Sequence, residues 1–175
     1  MTALLVFTQW LIGATFLLSA LSKVGSATSL RLFAETLVQL RLFRAGRPSR
    51  VAAAAIGLVE ALVAIVLVPL STAVTRLGFL LAIGLLAAFS AVILRSLRRR
   101  EQVACRCFGG SAPAAFSAVH LVRNTGLLAA AVTGALAAGQ PSAPWEVWVI
   151  AALAGAICAF IISRLDDVVS LFKTA

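Results

Sequence analysis

Leu77-Gly78-Phe79-Leu80-Leu81-Ala82-Ile83-Gly84-Leu85-Leu86-Ala87-Ala88-Phe89-Ser90-Ala91-Val92-Ile93-Leu94 contains no charged residue and one polar side chain, Ser90. Arg76 precedes it, and Arg95, Arg98, Arg99 and Arg100 follow. A helix that crosses a bilayer needs about 20 mostly apolar residues, with Lys and Arg at its ends. This stretch fits that description, and it is not alone. Similar runs lie over residues 3–21, 51–70, 117–138 and 145–163, so the sequence predicts five spans in all. Pro69, Pro113, Pro141 and Pro144 fall at or near run ends, where proline does least harm to a helix.

Composition agrees. The chain has 175 residues, enough for one compact unit, and is 62% hydrophobic with only 12% charged residues. A soluble domain carries about 25% charged residues. The mean hydropathy of +1.06 leaves more apolar surface than a water-soluble fold could bury. The net charge of +9 does not indicate a nucleic-acid partner, because the basic residues cluster at run ends and there is no long soluble segment to hold such a domain. Met1 to Trp10 contain no Lys or Arg, so the first run is expected to be a retained span rather than a signal peptide.

Small residues recur inside the runs, at Ala52 to Ala55, Gly57, Gly84, Ala129 to Ala131 and Ala154 to Ala156, and predict close helix contacts. Between the first two spans, Leu30, Phe33, Leu37 and Leu40 alternate with Arg31, Glu35, Arg41 and Arg44. That spacing predicts an amphipathic interfacial helix over residues 29–45, stopped by Gly46 and Pro48. The fold expected is all-α: a four-helix transmembrane bundle, a fifth transmembrane helix and one interfacial helix, forming a single transmembrane domain over 1–175.

Charge gives the orientation expected. Lys23, Arg31, Arg41, Arg44, Arg47 and Arg50 follow the first span; Arg95, Arg98, Arg99, Arg100 and Arg106 follow the third; Arg164 and Lys173 follow the fifth. With five spans all three segments share one side, and Arg76 lies on the other. The positive-inside rule puts the N-terminus outside and the C-terminus inside a cytoplasmic membrane.

Cys105-Arg106-Cys107-Phe108-Gly109-Gly110 carries the plainest chemistry. Arg106 between the thiols, with Arg98 to Arg100 before them, favours the thiolate. A disulfide across one intervening residue closes a very small ring and is prone to exchange. Three cysteines suggest one working pair and one extra, Cys158. Glu60 lies in the middle of the second span, where a carboxylate is costly unless paired or protonated. His120, Arg123 and Asn124 share one face near the start of the fourth span, and Arg123 is the candidate partner for Glu60. His120 is a candidate proton carrier. Lys23, at the end of the first span, reads as an interfacial anchor, and Trp10, Trp145 and Trp148 as interfacial or packing aromatics.

The leading Ser19-Ala20-Leu21-Ser22-Lys23, the Gly57-Leu58-Val59-Glu60 element, Cys105-Arg106-Cys107-Phe108-Gly109 and Arg123-Asn124 together resemble the MauE/DoxX-like family of redox-associated bacterial membrane proteins. The resemblance implies thiol-disulfide chemistry in the bacterial inner membrane with a thioredoxin-like partner of the MauD/TlpA type. It also implies a four-helix membrane bundle similar to that of quinone-linked disulfide-forming oxidases. In that reading Cys105 and Cys107 exchange disulfides, Arg106 and Arg123 support the thiolate, Glu60 and His120 handle protons, and Asn124 is a further candidate site residue. A quinone is a candidate cofactor, although no motif shows one. Two alternatives share these residues: a mercury- or copper-type soft-metal permease using Cys105, Cys107 and Cys158, and a non-catalytic scaffold for a redox partner.

Overall fold

The structure, a computed structural model, describes residues 2–68, 71–99, 104–105, 114–115, 118–139 and 144–165. The order is α1 (Thr2–Val24), α2 (Ala27–Gln39), α3 (Arg47–Val66), α4 (Thr72–Arg98), β1 (Ala104–Cys105), β2 (Ala114–Ala115), α5 (Ala118–Ala137) and α6 (Trp145–Ser163). Five of these helices are long and apolar enough to span a membrane: α1, α3, α4, α5 and α6. Each coincides with one of the five expected runs. The short β1–β2 pairing is antiparallel, with Ala104 opposite Ala115 and Cys105 opposite Ala114.

Helices α1, α3, α4 and α5 form a closed ring in which each touches the next, and α1 meets α5 to complete it. The ring interior is filled by Leu11, Ile12, Phe16, Val63, Phe79 and Leu86, with Leu127 and Ala131 from α5. Leu58, Leu62, Ile65, Leu80, Val122 and Leu136 point outward and are exposed, as lipid-facing side chains must be. Helix α6 lies outside the ring and packs mainly along α1. Gly155 allows that approach: a Cβ there would lie 2.5 Å from the Phe7 carbonyl oxygen and 3.0 Å from Trp10 Cβ. Beside this contact, Trp10 and Trp148 meet edge-to-face at 5.7 Å.

The helices do not end at one level. Val24, at the end of α1, lies beside Gly57, ten residues into α3. At 1.5 Å per residue, α3 therefore extends about 15 Å past α1. Helix α2 fills the resulting step. Its Phe33, Ala34 and Leu37 pack on Ala53 of α3. Ser26 caps α2 by accepting from the Ser29 N–H at 3.0 Å.

The apolar face expected over residues 29–45 is present, but the helix spans Ala27–Gln39 and stops before Gly46. Arg41 takes a left-handed conformation with φ 53°. The Leu42 N–H donates to the Leu37 carbonyl at 3.1 Å and the Arg41 N–H to the Val38 carbonyl at 2.9 Å. This is a Schellman turn, and it is hard to foresee because an arginine occupies the position that glycine usually takes. The helix also covers the end of α1 instead of only lying along the membrane surface.

At the opposite end of the ring, Arg76 of α4 donates through Nε at 3.2 Å and Nη2 at 2.8 Å to the Ala138 carbonyl, just past α5. A cation at the carbonyl end of a helix is favourably placed.

Replacing Gly155 with Leu should lower stability by about 1–3 kcal/mol, because the side chain has no room between α6 and α1. A Cβ on Gly84 of α4 meets nothing within 4 Å, so Gly84→Ala should be neutral or stabilising by up to about 1 kcal/mol. Unfolding curves of the two purified variants in detergent provide the check.

Candidate functional site

Lys23 is 1% exposed and Glu60 0% exposed, so the pair has essentially no contact with solvent or lipid. Lys23 Nζ donates to Glu60 Oε1 at 2.7 Å, Glu60 Oε2 at 2.8 Å and Ser19 Oγ at 2.5 Å. An ammonium has three N–H donors, and these three acceptors use them all. Ser19, one turn before Lys23 on α1, also hydrogen-bonds the Glu60 carboxylate. The rings of Phe33 and Phe89 lie 5.2 and 5.3 Å from the ammonium and add cation–π contacts. Three ring helices and α2 thus meet around one nitrogen.

The interfacial role expected for Lys23 is therefore incorrect, as is the pairing of Glu60 with Arg123. Lysine in the last turn of a span faces water only if its neighbours end at the same level. Here α3 and α4 continue past it and α2 roofs it, which creates a sealed site for a carboxylate. The sequence carried one local signal, the Ser19–Lys23 spacing of four residues. Its meaning depends on the staggered helix ends, which no single segment reveals.

Above the ion pair is a cavity of about 160 Å³. Its walls are mostly apolar and include Phe33, Leu37 and Leu40 from the α2 side and Leu85, Phe89 and Val92 from α4. Leu37 and Leu42, the two residues joined by the Schellman turn, both line it. His120, Arg123 and Asn124 form its polar corner together with Lys23. All three α5 residues are buried, at 3%, 7% and 2% exposure, because their i, i+3, i+4 spacing turns them together into the ring. Arg123 is near enough to Lys23 to act on it electrostatically. Asn124 Oδ1 is buried and has no hydrogen-bond partner among the described residues.

Of the other expected site residues, Cys105 is described through its backbone, in β1. That strand contacts α2, the helix that closes the cavity. Arg106 and Cys107 lie outside the described residues. Cys158, on α6, is half-buried and packs against the main apolar core. The neighbouring Gly155 is level with Phe7 to Leu11 of α1, so Cys158 lies about half a helix length from the level of Lys23. Among the described residues no cluster of three or more His, Cys, Asp or Glu could hold a metal ion.

Removing one member of a buried ion pair leaves a bare charge and typically costs 3–5 kcal/mol. Lys23→Met and Glu60→Leu should each destabilise the protein by about that amount, whereas the double variant should lose much less than the sum. A double-mutant cycle from denaturant unfolding in detergent measures the coupling.

A comparison with protein families gives a match over residues 1–137 to the family described as methylamine utilisation protein MauE. The match includes α1 to α5, hence the ring, the roofing helix α2, the Lys23–Glu60 pair, the cavity and the segment with both loop cysteines, and it stops where α5 ends. No curated protein and no solved structure matches the chain. A family match over this much of the sequence, on a fold with five membrane-length helices, establishes that the chain is a multi-pass membrane protein belonging to the methylamine utilisation protein MauE family.

Proposed function

We propose that this protein is a membrane thiol-disulfide relay component. Cys105 and Cys107 exchange disulfides with a thioredoxin-like partner of the MauD/TlpA type, serving methylamine utilisation or a related maturation pathway. The observation that carries the reading is the backbone of Cys105 in a short strand against α2, the helix that closes a cavity over a buried ion pair. This contact supports a link between Cys105 and the interior of the bundle. The family match spans the same segment.

In the exchange, one thiolate attacks the partner's disulfide and forms a mixed disulfide. The second cysteine then attacks that bond, leaving an intramolecular disulfide here and a dithiol on the partner. The reverse sequence moves two electrons the other way. Arg106 favours the attacking thiolate by charge. His120, in the cavity wall, accepts or returns the proton. Glu60 has both carboxylate oxygens engaged by Lys23 and acts as the fixed counter-charge that holds the site together. Arg123 and Asn124 complete the polar corner of the cavity.

The protein would reside in the bacterial inner membrane. The ends of α1 and α4 and the starts of α3 and α5 surround the site, and this end of the bundle carries most of the basic residues. The positive-inside rule then places the thiols at the cytoplasmic face, with the N-terminus outside and the C-terminus inside.

Cys107→Ser should trap the partner as a disulfide-linked complex that disappears on reduction, visible on non-reducing gels. A membrane-impermeant thiol reagent should label the pair in inverted membrane vesicles after reduction, but not in intact spheroplasts. A pair that is never oxidised and traps no partner would refute the relay; labelling in spheroplasts would reverse the orientation.

A further inference from the structure

The cavity carries an inference of its own, drawn from its size, its lining and an unmet hydrogen-bond acceptor. Its volume is about 160 Å³. An apolar protein cavity of about 150 Å³ accommodates a benzene molecule. The space therefore suits one six-membered ring. Its lining includes two exposed residues, Ala88 and Leu42, and Ala88 lies well inside the membrane-length helix α4. A ligand entering there comes from the hydrocarbon region and must itself be lipophilic.

The polar corner narrows the chemistry further. Asn124 is 2% exposed, lines the cavity, and its Oδ1 has no hydrogen-bond partner among the described residues. Leaving a buried acceptor unmet costs roughly 1–3 kcal/mol, so a ligand that supplies a donor gains affinity there. A fatty carboxylate brings acceptors only and leaves Oδ1 unmet. A ring hydroxyl donates to it. The side-chain amide also has N–H donors, so it can serve the same ring oxygen as a carbonyl or as a hydroxyl. Lys23, beneath the cavity, is already matched by Glu60, and Arg123 in the polar corner offers N–H donors to a ring oxygen.

We propose that this cavity binds the ring of a lipophilic quinone and its quinol, with the quinol hydroxyl donating to Asn124 Oδ1. Binding stands on the cavity alone. Its use rests on the thiol-relay reading: oxidation of the Cys105–Cys107 dithiol to a disulfide would release two electrons and two protons, which convert quinone to quinol.

The test is calorimetric titration of the purified protein, in nanodiscs of quinone-free lipid, with a decyl-substituted benzoquinone, its quinol, and decanoate. Both ring compounds should bind saturably and at least about tenfold more tightly than decanoate, which leaves Oδ1 unmet. Ala88→Phe, at the exposed edge of the cavity, should block the mouth without disturbing the core and weaken both ring ligands by about tenfold or more. Asn124→Leu should weaken the quinol about tenfold while making the ligand-free protein more stable, since it removes an unmet buried acceptor. A residue that only supported the fold would destabilise on the same change. Absence of saturable ring binding, equal binding of decanoate, or affinities indifferent to both substitutions would overturn the proposal. The Cys107→Ser protein separates the two readings. Quinol binding without partner trapping in Cys107→Ser refutes the relay alone, and trapping without quinol binding refutes the quinone site alone.

Discussion

The bidentate ion pair between Lys23 and Glu60 is the constraint on which the rest of the structure depends. Neither charge has access to water, and in a bilayer neither could be left alone without a penalty of several kcal/mol. Each therefore fixes the other. Lys23 must stay level with the middle of α3, which sets the stagger of α1 against α3. The stagger leaves a step at the end of α1, and α2 fills it with Phe33 and Leu37. The cavity is what remains between this roof, α4 and the polar face of α5. The pair thus positions the elements around the cavity, and its removal should loosen all of them together.

The same arrangement explains why a site can exist at this depth in a small bundle. Buried polar groups survive in lipid when they satisfy one another. Ser19, Lys23 and Glu60 do so within a single network. Asn124 Oδ1 has no such partner among the described residues, and its position in the cavity wall makes it an informative atom of the site. The strand β1, which holds Cys105, contacts α2, the helix that lines the enclosed space.

Much of this was legible in the sequence because lipid imposes simple rules. Length and hydropathy identified the five spans, and the spacing of Leu30, Phe33, Leu37 and Leu40 identified the face that α2 buries. The spacing of His120, Arg123 and Asn124 identified a shared helix face. What the sequence could not supply was the level of one helix against another. Lys23 looked interfacial because it ends an apolar run, and Arg123 looked like the natural partner for Glu60 because it alone seemed to lie within a span. Both inferences treated helix ends as coplanar. The end of α2 was misplaced for a different reason: Arg41 adopts a left-handed conformation that its side chain does not advertise. The cavity was invisible for the same reason as the stagger, since its walls come from segments far apart in the chain.

The measurement closest to the central claim is infrared difference spectroscopy of the membrane-reconstituted protein against its Glu60→Gln variant, repeated in a Lys23→Met background. An ion pair predicts an ionised-carboxylate stretch for Glu60 in the wild type. In the Lys23→Met background that band should be replaced by the carbonyl stretch of a protonated acid. A protonated Glu60 in the wild type, or a carboxylate band indifferent to Lys23, would contradict the account.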